Sequence, residues 1–174
     1  KPRYGMKKLG LALGGGGLKG LAHIGVLQVL QENGIKPSFI SGTSAGSIVA
    51  ALYACGIDPQ QMAELVKQLK PSDYLDYNIS GLIMYVLGLL WPGRHWPLQG
   101  IIRGCRLERL IYKWTGGLTL NQVKMPTAII ACDINSGQEV VFCNRRIPTG
   151  KRAVKVVHKA RLSEAVRCST SIPA

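Results

Sequence analysis

A serine between two glycines, Gly42-Thr43-Ser44-Ala45-Gly46, and a glycine run upstream of it, Gly14-Gly15-Gly16-Gly17-Leu18-Lys19-Gly20, are the residues of this chain best suited to chemistry. The first has the form G-x-S-x-G. Its mechanics are a sharp strand-to-helix turn that lifts the serine hydroxyl above the sheet edge, with glycines on both sides because a side chain there collides with neighbouring backbone. Ser44 is therefore the candidate nucleophile, and Gly42 and Gly46 are its steric supports. The upstream run offers N–H groups at a helix N-terminus, which is what a carbonyl oxygen needs as negative charge develops on it. It reads as an oxyanion hole, and the two clusters together describe a serine hydrolase.

Each cluster has a rival reading. Gly15-x-Gly17-x-x-Gly20 also fits the dinucleotide fingerprint, but that site needs an acid at the end of the second strand to hold a ribose hydroxyl. Phe39 to Ser41 is followed there by Gly42 and Thr43. A Walker loop fails because the lysine precedes the last glycine and Leu21 stands where a hydroxyl residue should bind magnesium. Gly42 to Gly46 could also be an ordinary strand-to-helix turn, although its pairing with the glycine run in adjacent βα units argues against that. A further enzyme reading takes the order Ser44, Asp133, His158 as an α/β-hydrolase triad. Against it, the nucleophile comes very early, and His158 sits among Lys155, Lys159 and Arg161, where a solvated histidine is expected.

Both clusters must lie where strands end. Lys7 to Leu13 reads as a buried strand and Leu18 to Asn33 as a helix, stopped by Gly34 and Pro37. Ile40 leads into the serine turn, Ala45 to Cys55 has helical periodicity, and Gly56 closes it. This βαβα order implies a parallel sheet with right-handed crossovers, so both glycine loops share one carboxyl edge. Pro59 to Leu69 and Cys105 to Trp114 read as helices. Pro126 to Asp133 and Glu139 to Cys143 form a strand pair around Asn135-Ser136-Gly137, and Val154 to Val166 reads as a helix. Ile79 to Trp91 is a 13-residue stretch with only Ser80 as a clearly polar side chain. It is too short to span a bilayer, which takes about 20 residues. With Arg94, His95 and Trp96 after it, the segment 79–97 reads either as a core helix or as an apolar lid or acyl-binding wall.

The 174 residues suit a single domain over 1–174, and 22 Lys plus Arg against 9 Asp plus Glu give a formal charge of +13. That balance points to anionic partners, such as acidic headgroups at a membrane surface, or phosphate esters. The basic stretches lack the interleaved aromatic residues of a base-stacking platform, so no nucleic acid is expected. Five cysteines, an odd number with no C-x-x-C, indicate neither a disulfide framework nor a metal site, and most are expected to be buried thiols. No cofactor is expected. Lys1 to Lys8 has no secretory h-region, and a reducing, cytoplasmic setting is the default.

Leu11-Ala12-Leu13-Gly14-Gly15-Gly16-Gly17-Leu18-Lys19-Gly20-Leu21-Ala22-His23-Ile24-Gly25-Val26-Leu27, followed by Ile40-Ser41-Gly42-Thr43-Ser44-Ala45-Gly46, resembles the bacterial branch of the patatin-like phospholipases. Thr127 to Phe142 and Ser169-Thr170-Ser171-Ile172-Pro173 resemble later segments of that family, so the likeness covers nearly the whole chain. It implies a three-layer α/β/α sandwich with a mainly parallel sheet, and hydrolysis of acyl esters in phospholipid or lysophospholipid by a Ser/Asp dyad without histidine. By position, Ser44 is the nucleophile, Gly15, Gly16 and Gly17 supply the oxyanion N–H groups, and Lys19 takes the place of the basic residue after the glycine run. Gly14 departs from the Asp or Ser often found there, leaving the backbone donors intact. The family's base is an Asp followed by Gly, downstream of the Ser-Ile-Pro segment. None of Asp58, Asp73, Asp76 and Asp133 precedes a glycine. On this resemblance the base lies beyond Ala174, and a fragment without it is expected to be nearly inert, since general-base loss costs about 10² to 10⁴ in rate. A lipid-binding or scaffolding domain that keeps the fold without catalysis is the non-enzymatic alternative.

Overall fold

Five apolar runs become strands in the computed structural model, which describes residues 8–81, 83, 85, 102–147 and 154–171. They are β1 (Gly10–Leu13), β2 (Phe39–Thr43), β3 (Thr127–Cys132), β4 (Glu139–Cys143) and β5 (Val154–Val157), and they form one sheet in that order. β1, β2 and β3 run parallel, with Leu13 beside Gly42 and Thr43 beside Ile130. β4 returns antiparallel to β3 through a turn in which Gly137 takes φ 68°, and β5 runs parallel to β4. A right-twisted strand feeding a helix and returning parallel leaves both loops at one sheet edge. The glycine run after β1 and the serine turn after β2 are thereby neighbours, as the βα order implied.

The helices are α1 (Ala22–Glu32), α2 (Ala45–Ala54), α3 (Pro59–Lys67), α4 (Pro71–Tyr74), α5 (Cys105–Trp114) and α6 (Leu162–Thr170), with 3-10 turns at Gly17–Leu21 and Leu120–Gln122. The chain has the expected α/β fold, a mostly parallel sheet with flanking helices. Leu13, Ile40 and Ile129 form one core with Ile24, Leu27, Leu52, Met62, Ile111, Leu162 and Val166 from the helices. α2 is the centre of this packing. Gly46, Ser47, Val49, Ala50, Ala51, Leu52 and Ala54 are all buried, and a helix apolar around its circumference belongs inside a protein rather than on it.

Four local expectations are corrected. The first strand is confined to Gly10–Leu13, and the helix expected from Leu18 starts as a 3-10 turn and becomes α-helical only at Ala22. Val154 to Val166 is not one helix. Val154, Val156 and Val157 are β-branched and pair with β4, the Thr119–Arg161 bridge follows, and α6 starts at Leu162, with Arg161 as its N-cap and Glu164 Oε2 accepting from the Arg161 N–H at 2.9 Å. Of the apolar segment 79–97, residues 82, 84 and 86–97 lie outside the described residues. Ile79 and Ile83 are 64% and 54% exposed, so the core-helix reading does not hold at those two positions.

The described residues on either side of that segment are clasped together. Tyr77 and Ile102 form an antiparallel bridge, and the Arg103 N–H donates to the Asp76 carbonyl at 2.9 Å. The N-cap of α5 is Gly104, which has no capping side chain, and Asp76 supplies the cap from 28 residues away. Its carboxylate accepts from the N–H groups of Gly104 at 2.6 Å, Cys105 at 2.8 Å and Arg106 at 3.2 Å. A helix N-terminus has four orphan donors, and a carboxylate satisfies them while complementing the helix dipole. Asp76→Ala strands three of these donors and is expected to cost about 1 to 3 kcal/mol. Urea or thermal unfolding checks this, and Asp76→Asn, which keeps one acceptor oxygen, should lose less.

Candidate active site

Ser44 is the N-cap of α2 with φ 53° and ψ −124°, and among the described residues it is the only non-glycine residue at positive φ. That region costs an L-residue about 1 to 3 kcal/mol and persists only where the surroundings impose it. Here the surroundings are backbone. A Cβ on Gly42 would sit 2.3 Å from the Gly46 carbonyl oxygen, and one on Gly46 would sit 2.3 Å from the Leu13 oxygen and 2.6 Å from the Gly14 oxygen. The strand ends and the first turn of α2 are in direct main-chain contact, so the turn between them has no slack.

The Ser44 peptide is held on both sides. Its carbonyl accepts from the Ser47 N–H at 2.8 Å and the Ser47 hydroxyl at 2.6 Å, while its N–H donates to Ser169 Oγ at 2.8 Å. The side chain is left over. A serine at an N-cap ordinarily accepts from the second or third helical N–H. Ser44 Oγ makes no such bond, which leaves the hydroxyl free of the helix at the positive end of a ten-residue helix dipole.

The glycine run lies against this hydroxyl. A Cβ on Gly15 would be 3.2 Å from Ser44 Cβ and 3.8 Å from Ser44 Oγ, and Gly15, Gly16 and Gly17 are all exposed. Gly16 has φ 151° and Gly17 φ 57°, conformations open to glycine and strained for other residues. Two contacts that the sequence reading did not assign fix the loop. Gly20 has no room for a Cβ, which would lie 2.5 Å from Ala45 Cβ, so the 3-10 turn packs directly on α2. His23 is half-buried, and its Nε2 donates to the Gly14 carbonyl at 2.9 Å. Lys19 is exposed at the end of the loop, with its N–H on the Gly16 carbonyl at 3.2 Å, and Leu18 beside it is 73% exposed.

The alternative triad is excluded by topology. β3 runs parallel to β2, so Asp133 follows β3 at the same edge as Ser44, where its carboxylate accepts from the Asn135 N–H at 3.0 Å and shapes the β3–β4 turn. β5 runs the opposite way, so His158 emerges at the other edge. Three strand spacings of about 4.8 Å and three residues of about 3.3 Å separate it from Ser44, roughly 17 Å in all. His158 is exposed, as expected, with Nδ1 donating to the Cys143 carbonyl at 2.9 Å. The remaining histidine, His95, lies outside the described residues.

The cysteines are free thiols, but only Cys143 is buried; Cys55 and Cys105 are half-buried, and Cys132 and Cys168 are exposed. Burial pushes the Cys55 thiol up to about 11 and raises those of Cys143 and Cys168, which disfavours their thiolate forms. Among the described residues no three or more His, Cys, Asp or Glu side chains are placed to hold a metal ion, and no helix is long and apolar enough to cross a membrane.

The chain is similar to an NTE family protein of Mycobacterium tuberculosis, with 28% identity over 173 residues that cover 98% of this chain and 24% of the relative. It is also similar to the lysophospholipase NTE1 of Candida glabrata, at 56% identity over 108 residues covering 62% of this chain and 6% of that protein. It therefore spans about a quarter of the mycobacterial relative and a small part of the fungal one. Among solved structures, ExoU of Pseudomonas aeruginosa in complex with SpcU shares the fold, with a TM-score of 0.59 and 22% identity over 95% of this chain and 38% of that one. The family model described as patatin-like phospholipase matches residues 11–174, and the chain belongs to that family.

Proposed function

We propose that this chain carries the nucleophile and oxyanion site of a lipid acyl-ester hydrolase of the phospholipase A or lysophospholipase type. The observation that carries the reading is the juxtaposition of Ser44, strained and with an unengaged hydroxyl, with the exposed glycine loop, so close that a Cβ on Gly15 would lie 3.2 Å from Ser44 Cβ. Ser44 Oγ attacks the ester carbonyl, and the N–H groups of Gly15, Gly16 and Gly17 receive the oxyanion of the tetrahedral intermediate. Collapse of that intermediate breaks the acyl C–O bond and releases the alcohol or lysolipid, and water then hydrolyses the acyl-serine. The proton leaving Ser44 passes to a base, which the family resemblance identifies as an aspartate in a Ser/Asp dyad. Among the described residues no carboxylate bonds Ser44 Oγ.

The lysophospholipase name of the fungal relative supports the substrate class. The formal charge of +13 and the exposed Leu18-Lys19 pair beside the loop support peripheral contact with an anionic lipid surface, and five free thiols suit a reducing, cytoplasmic setting.

In the complete protein, a fluorophosphonate probe should label Ser44, and Ser44→Ala should abolish both labelling and hydrolysis of a soluble acyl ester without unfolding the protein. Hydrolysis retained by a pure Ser44→Ala preparation removes the assignment. A lipid-binding domain without catalysis would show neither labelling nor turnover from the start.

Two glycines in the same loop separate geometry from packing. A Cβ on Gly16 has room, the nearest atom being Lys19 Cβ at 3.8 Å, but φ 151° penalises any L-residue, whereas Gly14 has neither a close neighbour nor a positive φ. Gly16→Ala should lower kcat by about 10² to 10³ with little change in KM, the cost of a displaced oxyanion donor. Gly14→Ala should stay near wild type in steady-state kinetics. His158→Ala, about 17 Å away by strand spacing, should keep most of the activity. A dead His158→Ala that remains folded contradicts the dyad.

A further inference from the structure

The end of α6 carries three consecutive hydroxyl residues, and they behave differently. Thr170 Oγ1 donates back to the Val166 carbonyl at 2.9 Å, and Ser171 Oγ donates back to Arg167 at 2.8 Å, the default for Ser and Thr in a helix. Ser169 makes no such local bond. Its hydroxyl reaches out of the helix, donating to the Ile130 carbonyl at 2.5 Å and accepting from the Ser44 N–H at 2.8 Å. Ile130 pairs with Thr43, so this single side chain joins the β3 backbone, α6 and the peptide that precedes the strained Cα of Ser44. α6 is in turn held in place, because Arg167 donates to Glu108 Oε2 of α5 at 2.8 Å and to the Arg103 carbonyl at 3.1 Å.

We propose that Ser169 is the positioning residue of the nucleophile, holding the Ser44 peptide in the rotation that aims Oγ at the oxyanion loop. The inference rests on the reading of Ser44 as nucleophile. Its physical basis is a division of labour between donors. With the Ser44 N–H committed to Ser169, that N–H cannot serve the oxyanion, and the substrate oxygen must be received by the glycine loop. Ser44 Oγ is then correctly placed only while its own peptide plane is fixed. The hydroxyl is suited to this because it donates and accepts at once: the Ile130 carbonyl fixes the proton, which leaves a lone pair for the Ser44 N–H.

The test compares variants of the complete protein in hydrolysis of a soluble acyl ester, in the rate of fluorophosphonate labelling and in thermal unfolding. Ser169→Ala should lower kcat and the labelling rate together by about tenfold to a hundredfold, the penalty typical of a misplaced reacting group, with KM within about twofold of wild type. Thr170→Ala removes a neighbouring hydroxyl that bonds only within α6, and should keep the wild-type kcat. Wild-type kcat in Ser169→Ala overturns the proposal, as does an equal fall in Thr170→Ala or a rise in KM at constant kcat. If Ser169→Ala does not fold, Ser169→Cys decides the question: it keeps the side-chain shape while weakening both donor and acceptor, and should show the same loss of kcat. Hydrolysis that survives Ser44→Ala is a separate result that removes the nucleophile itself.

Discussion

Main-chain atoms meet main-chain atoms where β1, β2 and α2 converge, and the rest of the site follows from that contact. Gly46 lies on the carbonyls of Leu13 and Gly14, and Gly42 lies on the carbonyl of Gly46, with no space for a Cβ at either. Because the helix starts that close to the strand ends, the connecting residue cannot relax into an ordinary turn conformation. Ser44 is forced to positive φ. The same closeness seats the glycine loop beside it, since Gly20 packs on the first residue of α2. Proximity of Ser44 and the glycine loop is thus a consequence of steric contact rather than of attraction between the two loops.

Such a conformation has to be held. Each net hydrogen bond contributes about 0.5 to 1.5 kcal/mol, and the strain at Ser44 is about 1 to 3 kcal/mol. The bonds from Ser47 and to Ser169 are therefore of the size needed to offset it, and the burial of α2 supplies a rigid base. Among the described residues the arrangement leaves Ser44 Oγ without a capping bond to α2. A capping serine would have spent that oxygen on the helix.

A second set of polar contacts fixes the far side of the helical layer. Asp76 caps α5, Arg103 donates to Asn78 Oδ1 at 3.2 Å and to Ser80 Oγ, and Arg167 ties α6 to α5. Exposed ion pairs contribute little, but Arg167 and Glu108 are partly buried and Arg167 also donates to the Arg103 carbonyl, which fixes geometry more than it adds energy. Through α6 this clasp is mechanically continuous with Ser169 and the Ser44 peptide.

The elbow and the glycine loop were legible in the sequence because their requirements are local. A turn that excludes Cβ atoms needs glycine at Gly42 and Gly46 wherever it occurs, and alternating strand and helix patterns place two such turns on one sheet edge. Cys105 to Trp114 was likewise readable from its periodicity alone. What local pattern could not show is which distant group satisfies a donor or completes a sheet. Val154 to Val157 has residues compatible with helix or strand, and only the free edge of β4 made it β5. The reversal of direction at β4 then placed His158 at the edge opposite Ser44, although chain order allowed a triad. Nothing in the spacing of Asp76 or Ser169 marked one as the cap of α5 or the other as the partner of Ser44. The sequence by itself determined where the backbone must pass without side chains, because steric exclusion acts between near neighbours. Tertiary structure decided which polar groups meet, because a hydrogen bond across 28 or 125 residues exists only once packing has brought its two ends together.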